Sequence, residues 1–245
     1  MLRVEDVTVR FGGVQALQQM ALECPSGRVT GLIGPNGAGK TTLFNVITGL
    51  QKPDSGRVLL DDLDVTRMPA QRRAKAGLAR TFQRLEVFGS LSVRENVLLA
   101  AELQRGLRGG LLRRGDDPGA VADMLLARVG LTALAGSQAG SLPTGSARLL
   151  ELARALATSP SVLLLDEPGS GLSEQETQAL GDLLLSLAQE GMAVLLVEHD
   201  VELVMRVCRE LTVLDFGRVI ARGTPAEVQK DARVQASYLG AEVPA

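Results

Sequence analysis

The octapeptide GPNGAGKT, residues 34–41, narrows what this chain can fold into more than any other stretch. It fits the pattern G-x-x-x-x-G-K-[ST] and stands where that pattern acts, after the strand-like run RVTGLI and at the opening of a helical pattern over residues 39–50. Gly34, Gly37 and Gly39 let the backbone curl until successive N–H groups converge on a phosphate, with Pro35, Asn36 and Ala38 completing the loop. The helix that follows adds its positive end. Lys40 is placed to reach the β- and γ-phosphates, Thr41 to put its hydroxyl on Mg²⁺, and Thr42 to close the cradle. A plain glycine turn between strand and helix would explain the glycines but not the Lys-Thr pair. The bend therefore predicts a nucleoside triphosphate site, without separating kinases, GTPases, motors and transport ATPases.

The flanking patterns predict an α/β chain. Residues 3–10 alternate as a half-buried strand, RVTGLI reads as the second strand, and SGRVLLDD is a further one between turn residues. Pro69 followed by AQRRAKAG predicts a short helix, and LARTFQ a strand or strand end. From about Leu91 to Ser159 helical periodicity takes over, in 92–103, 120–129 and 148–157, with no strand between them. That stretch is a candidate inserted lobe. Within it the Gly- and Arg-rich segment 104–118, in QRGLRGGLLRRGDDPG, reads as a solvated loop, with contact to an acidic lipid or a partner as the alternative. SVLLLDE and MAVLLVEHD are continuous aliphatic runs followed by helical segments 174–190 and 200–209, as in parallel strands buried on both faces. ELTVLDFGRVIARG then reads as a hairpin.

Two carboxylates and the only histidine sit at the ends of those aliphatic runs. Asp166 closes VLLL, the place at the carboxyl edge of a parallel sheet from which a carboxylate holds a metal, and Glu167 follows at once. In an extended strand end neighbouring side chains diverge, so one carboxylate can face Mg²⁺ and the other an attacking water. His199 ends AVLLVEH; if the two strands are neighbours, its imidazole falls near the γ-phosphate. Gln83 closes ARTFQ and offers a carbonyl oxygen to a metal and an amide to water, so it can report nucleotide occupancy to the helical lobe. Phe11 is one of five Phe in a chain with 2% aromatic residues, and is a candidate to stack on adenine.

Composition removes other classes. With 45% hydrophobic residues and no Trp, the core must be built from Leu, Val, Ala and Ile. A net charge of −2 gives no global argument for nucleic acid or an acidic membrane, though a local arginine cluster can still matter. Cys24 and Cys208 are far apart in sequence, with no CxxC partner, and are expected to be small core residues in a reducing compartment. No apolar run approaches the ~18 residues of a membrane span, and the charged N-terminus has no signal-like apolar stretch. The chain is expected in the cytoplasm, reaching a membrane only through a partner.

The phosphate loop, Gln83, a helix-opening glycine in SLPTGSARLLELARAL, VLLLDEP and His199 follow one another in an order and spacing that resembles the nucleotide-binding subunits of ABC transporters over essentially the whole chain. GLARTFQ, NVITGL, LVEHDVELVM and ARVQASYLG resemble, within that family, the ATPases of branched-chain amino acid importers, with urea and amide importers as close rivals. The resemblance implies a P-loop NTPase with a RecA-like parallel-sheet core (1–88 and 160–245), an N-terminal antiparallel β subdomain and an inserted all-helical signature subdomain (89–159). It implies ATP and Mg²⁺, with Lys40 and Thr41 on phosphates and metal, Gln83 and Asp166 at the metal, Glu167 as general base, His199 as γ-phosphate switch and Phe11 at adenine. It also implies a head-to-tail dimer in which Gly145 admits the partner's γ-phosphate to a helix N-terminus, a second ATPase chain identical or related to this one, transmembrane permease subunits and, through them, a solute-binding protein.

Three positions depart from the family's usual residues. Pro143 stands where a serine normally offers a hydroxyl, Ser146 where glutamine is usual, and Ser173 where Asp or Asn is common. Losing one hydroxyl bond to a charged phosphate costs about 1.5–3 kcal/mol. The resemblance thus implies a normal ATP site at this chain's own loop and a weaker signature half-site offered to the partner, with a nucleotide-binding regulatory subunit of weak hydrolysis as the alternative to an importer ATPase. Ser173 with Glu176 three residues later predicts a capping box that preserves helix initiation.

Overall fold

The structure, a computed structural model, describes residues 1–81, 86–108 and 117–239. In chain order the elements are β1 (Leu2–Phe11), β2 (Val14–Cys24), β3 (Arg28–Ile33), α1 (Lys40–Thr48), β4 (Ser55–Leu60), β5 (Leu63–Asp64), α2 (Ala70–Lys75) and β6 (Leu78–Arg80). They continue as α3 (Val93–Arg108), α4 (Pro118–Arg128), α5 (Thr144–Ala157), β7 (Val162–Asp166), α6 (Glu174–Gln189) and β8 (Ala193–Val197). The last are α7 (Val201–Val207), β9 (Glu210–Asp215), β10 (Arg218–Gly223), α8 (Pro225–Lys230) and α9 (Ala232–Leu239).

Among the described residues the strands form two sheets, one of four in the order β2-β1-β4-β5 and one of six in the order β10-β9-β3-β8-β7-β6. The first is antiparallel throughout. In the second, β9, β3, β8, β7 and β6 run parallel, and β10 closes one edge as an antiparallel hairpin partner. RVTGLI is therefore the third strand, because β2 precedes it. Strand β2 does not alternate in sequence: a bulge at Gln19, at φ 47°, puts its buried Leu17 and Met20 three residues apart. The extra residue hides the period of two.

The six-stranded sheet is a wall between two aliphatic cores. Along β7, Val162 and Leu164 point into one core and Leu163 and Leu165 into the other; along β8, Ala193, Leu195 and Val197 oppose Val194 and Leu196. Every residue of both strands is buried, which is why they read as unbroken apolar runs. One core joins the sheet to α1 and the four-stranded sheet through Leu43, Phe44, Ile47, Leu2 and Leu22. The other joins it to α6, α7 and the helical lobe, where Val97 of α3, Leu126 of α4 and Leu150 of α5 belong to the same continuous cluster. The lobe thus shares its core with the sheet. No helix among the described residues is long and apolar enough to cross a membrane.

A buried arginine ties α1 to this frame. Arg73 of α2 is 2% exposed. Its guanidinium donates to four backbone carbonyls: Val46 and Ile47 in the last turn of α1, both at 2.7 Å, Thr66 at 2.8 Å and Met68 at 2.9 Å. The cation satisfies carbonyls that a helix C-terminus leaves open and sits at the negative end of its dipole. Arg73→Ala is expected to destabilise the protein by about 3–5 kcal/mol in chemical denaturation, because four carbonyls lose a charged donor in a dry site.

Candidate active site

The phosphate loop joins β3 to α1, and its shape depends on contacts with the neighbouring strands. Gly34 has φ 151°, and a Cβ there would lie 2.0 Å from the Leu214 carbonyl oxygen of β9, so no other residue fits. From below, Gly217 in the β9–β10 turn donates to the Ala38 carbonyl at 2.9 Å and accepts from the Gln18 amide at 2.8 Å. Asn36 and Gly37 at the loop's crown are exposed. Lys40 opens α1, and its ammonium donates to the Gly34 carbonyl and, at 2.9 Å, to that of Pro35. Burial lowers the Lys40 pKa, while the Glu167 and Asp166 carboxylates raise it. Thr41 and Thr42 lie in the first turn of α1, Thr41 exposed.

Asp166 is the last residue of β7. Its amide donates to Thr81 Oγ1 at 3.2 Å, and its Oδ2 lies 3.1 Å from the Arg80 guanidinium. Burial pushes the Asp166 carboxyl above its ordinary pKa, and Arg80 opposes that shift. Glu167 is not in an extended strand end. It has φ 50°, and its amide donates to the Val197 carbonyl at the end of β8 at 2.9 Å. The two carboxylates therefore diverge through a left-handed kink at Glu167 and not through strand alternation. Such a conformation is costly for a residue with a side chain and is held only where its surroundings over-determine it.

His199 follows β8 by two residues, half exposed, with Nε2 3.0 Å from Glu167 Oε1. Glu198, between β8 and His199, turns inward and is 7% exposed. Its Oε1 accepts from the Gly169 amide at 2.6 Å and its Oε2 from the His199 amide at 2.9 Å. One carboxylate thereby pins the loop after Glu167 to the loop that carries the histidine. Glu198 and Arg80 were not singled out from the sequence. The signals were there: an acidic residue buried in an aliphatic run, and an arginine ending the apolar strand GLAR.

The structure thus brings Lys40, Asp166, Glu167 and His199 to one edge of the six-stranded sheet. Phe11 stands at the β1–β2 tip, paired with Val14 and half exposed. Gln83 and most of the Arg-rich segment 104–118 lie outside the described residues. Cys24 and Cys208 are buried, their thiols pushed up to about 12 by that burial, which leaves them unreactive.

Gly145 has a reason within this chain. A Cβ there would lie 2.5 Å from the Gly171 carbonyl oxygen and 2.9 Å from Leu172 Cδ2, so the start of α5 packs directly on the loop that follows Glu167. Pro143 is the residue before α5 and makes no side-chain bond to its first N–H groups. Ser173 and Glu176 form the capping box, with Ser173 Oγ accepting from the Glu176 amide at 3.3 Å and Glu176 Oε2 accepting from the Ser173 amide at 2.8 Å.

The residues fit a hard cation. The Thr41 hydroxyl and the Asp166 carboxylate supply oxygen donors only, as Mg²⁺ prefers. No cluster of three or more His, Cys, Asp or Glu among the described residues forms an all-protein cage. A metal that relies on one or two protein oxygens plus phosphate and water suits this arrangement.

Comparison with known proteins agrees in sequence and in shape. Residues 17–170 match the ABC transporter family model, and residues 218–244 match that of the branched-chain amino acid ATP-binding cassette transporter. The chain is 39% identical to the high-affinity branched-chain amino acid transport ATP-binding protein LivG of Escherichia coli and 38% to BraF of Pseudomonas aeruginosa, covering 98% of both chains in each pair. It is 32% identical to the lipopolysaccharide export ATP-binding protein LptB of Escherichia coli, over 98% of this chain and 97% of that one. Its fold superposes on a nucleotide-free ATP-binding cassette from an ABC transporter with a TM-score of 0.85 at 31% identity, covering 97% and 98% of the two chains. A dimeric cassette bound to ADP and phosphate superposes with a TM-score of 0.80 at 25% identity, over 92% of this chain and 99% of that one.

The contact at Gly145 is testable by melting. Gly145→Ala forces a methyl group against backbone; overpacking of about 2 kcal/mol lowers Tm by roughly 4–8 °C in a chain of this size. An unchanged Tm would mean that α5 does not rest on Gly171.

Proposed function

Because the chain belongs to the ABC transporter family of ATP-binding cassettes, we propose that it is the subunit that hydrolyses ATP to drive uptake of branched-chain amino acids through a partner permease. The observation that carries the chemistry is the meeting of Lys40, Asp166, Glu167 and His199 at one sheet edge, with Glu167 Oε1 3.0 Å from the imidazole. The solute class is supported by the 38–39% identity to the two importer ATPases along nearly the full chain and by the match over residues 218–244. The exporter relative, at 32%, has the same cassette and marks the more distant branch.

In this reading the amide-lined bend from Gly34 to Gly39 receives the phosphates, and Lys40 exchanges its carbonyl partners for phosphate oxygens. Phe11 lies against the base. Thr41 and Asp166, with Gln83, would hold Mg²⁺, which when bound neutralises charge on the transferred phosphoryl group. Glu167 takes a proton from the attacking water at its carboxylate oxygen. His199, in contact with that oxygen, fixes the direction in which Glu167 faces and senses the γ-phosphate. Gly145 and the first turn of α5 face the nucleotide of a second ATPase chain, identical or related, in a head-to-tail dimer. Since Gly145 also rests on Gly171, engagement there is transmitted directly to the loop carrying Glu167.

The permease seats on the cytoplasmic side, where a groove of about 690 Å³ opens between α2, β6, α3 and α5, lined by Arg80, Thr81, Gln104, Glu151 and Arg154 among others. It spans the core and the helical lobe, so rotation of one against the other changes its width. The protein is thereby peripheral to the membrane, and a solute-binding protein is reached only through the permease.

Glu167→Gln is expected to lower kcat for ATP by at least ~100-fold while leaving the Kd for ATP within a few-fold, as loss of a general base requires. Parallel loss of binding would place Glu167 in the nucleotide pocket instead of at the water. Pro143→Ser is expected to raise turnover of the assembled transporter by up to about tenfold, the equivalent of ~1.4 kcal/mol for a restored hydroxyl bond to phosphate. Equal turnover would show that the proline is neutral at the partner's site.

A further inference from the structure

On the reading above, in which Asp166 faces the metal, we propose that Arg80 is a positioning residue that clamps Asp166 to the phosphate-loop helix and so sets how strongly Mg²⁺ and nucleotide binding reinforce one another. Arg80 ends β6 between two elements of the site. One terminal nitrogen of its guanidinium donates to Asn45 Oδ1 at 2.6 Å, and the other to Asp166 Oδ2 at 3.1 Å. Its central carbon stands 5.2 Å from the centroid of the Phe44 ring. The Arg80 and Asp166 side chains are each 5% exposed.

Asn45 and Phe44 belong to α1, the helix that opens with Lys40 and Thr41. Asp166 belongs to β7. A rigid fork held on one side by an amide and an aromatic face, and on the other by a carboxylate, fixes the second relative to the first. It engages Oδ2, so the position of the other carboxylate oxygen is fixed by where Arg80 stands. Groups that orient a metal's own ligands in this way change affinity by about 10–100-fold when removed. Stability is a weaker account of the pair, since buried ion pairs are commonly replaceable by apolar residues without loss.

The test is the binding of trinitrophenyl-ATP to the full-length protein, titrated with excess Mg²⁺ and, separately, with EDTA. The ratio of the two Kd values measures the reinforcement. In Arg80→Ala the Kd in EDTA is expected within about twofold of the wild type while the ratio falls about tenfold. Arg80→Lys keeps the charge but cannot span Asn45 and Asp166 together, so its ratio falls between the two. Asn45→Ala shifts the ratio in the same direction by a smaller factor. An unchanged ratio in Arg80→Ala, an equal rise of both Kd values, or failure of both Arg80 variants to fold overturns the proposal. If the wild type itself binds equally well with Mg²⁺ and with EDTA, the assignment of Asp166 to the metal fails first, an outcome separate from any behaviour of Arg80.

Discussion

The parallel register of β3, β8 and β7 is the constraint on which the site depends. Leu164 pairs with Leu195, Leu165 with Leu196 and Asp166 with Val197, while Gly31 of β3 pairs with Leu196 from the other side. Parallel strands point one way, so the segments that leave their carboxyl ends emerge along one edge. Gly34 to Thr41, Asp166 with Glu167, and Glu198 with His199 are those three segments. A slip of one residue would exchange the cores faced by Leu163 and Leu164 and would draw Asp166 into or out of the sheet together with them. Burial on both faces resists such a slip.

Charges inside this frame are used to hold elements together. Arg73 binds the carbonyls at the end of α1, and Arg80 spans α1 and β7. Glu198 joins the two loops that carry Glu167 and His199. Each is a group that is expensive to bury, and each is met by several partners at hydrogen-bond distance. The kink at Glu167 fits the same logic. Its left-handed backbone is sustained by the bond from its own amide to Val197 and by the loop that Glu198 anchors at Gly169. Backbone strain of this kind persists where rigid neighbours hold it.

The helical lobe meets this edge through a close contact of backbone, Gly145 against Gly171. α5 therefore presents its N-terminus outward while resting on the loop between Glu167 and the Ser173 cap. Its other face is in the same aliphatic cluster as the sheet, through Leu150 and Leu163. The lobe is thus held to the sheet by close packing as well as by chain connection.

Much of this was legible in the residues. The loop GPNGAGKT is a mechanism written in local sequence, because glycine freedom, a lysine and a threonine at fixed offsets act within one turn. The aliphatic runs before Asp166 and His199 reveal buried parallel strands, because burial on both faces leaves no polar positions. β2 was not legible: its bulge at Gln19 destroys the alternation on which strand recognition rests. The strand run places Asp166 and Glu167 side by side, but the left-handed backbone at Glu167 was not legible, since a positive φ at a glutamate has no signal in composition.

By itself, then, the sequence determined the phosphate-binding bend, the strand ends that bear the acidic pair and the histidine, and the aliphatic nature of the core. These are local patterns or consequences of burial averaged along one strand. Only the tertiary structure decided that Arg80 grips Asp166 from a strand 86 residues away in the chain, that Glu198 turns inward while His199 turns out, and that Gly145 is required by Gly171. Those facts depend on which groups meet across the fold, and meeting is a property of the packed three-dimensional arrangement that no single segment encodes.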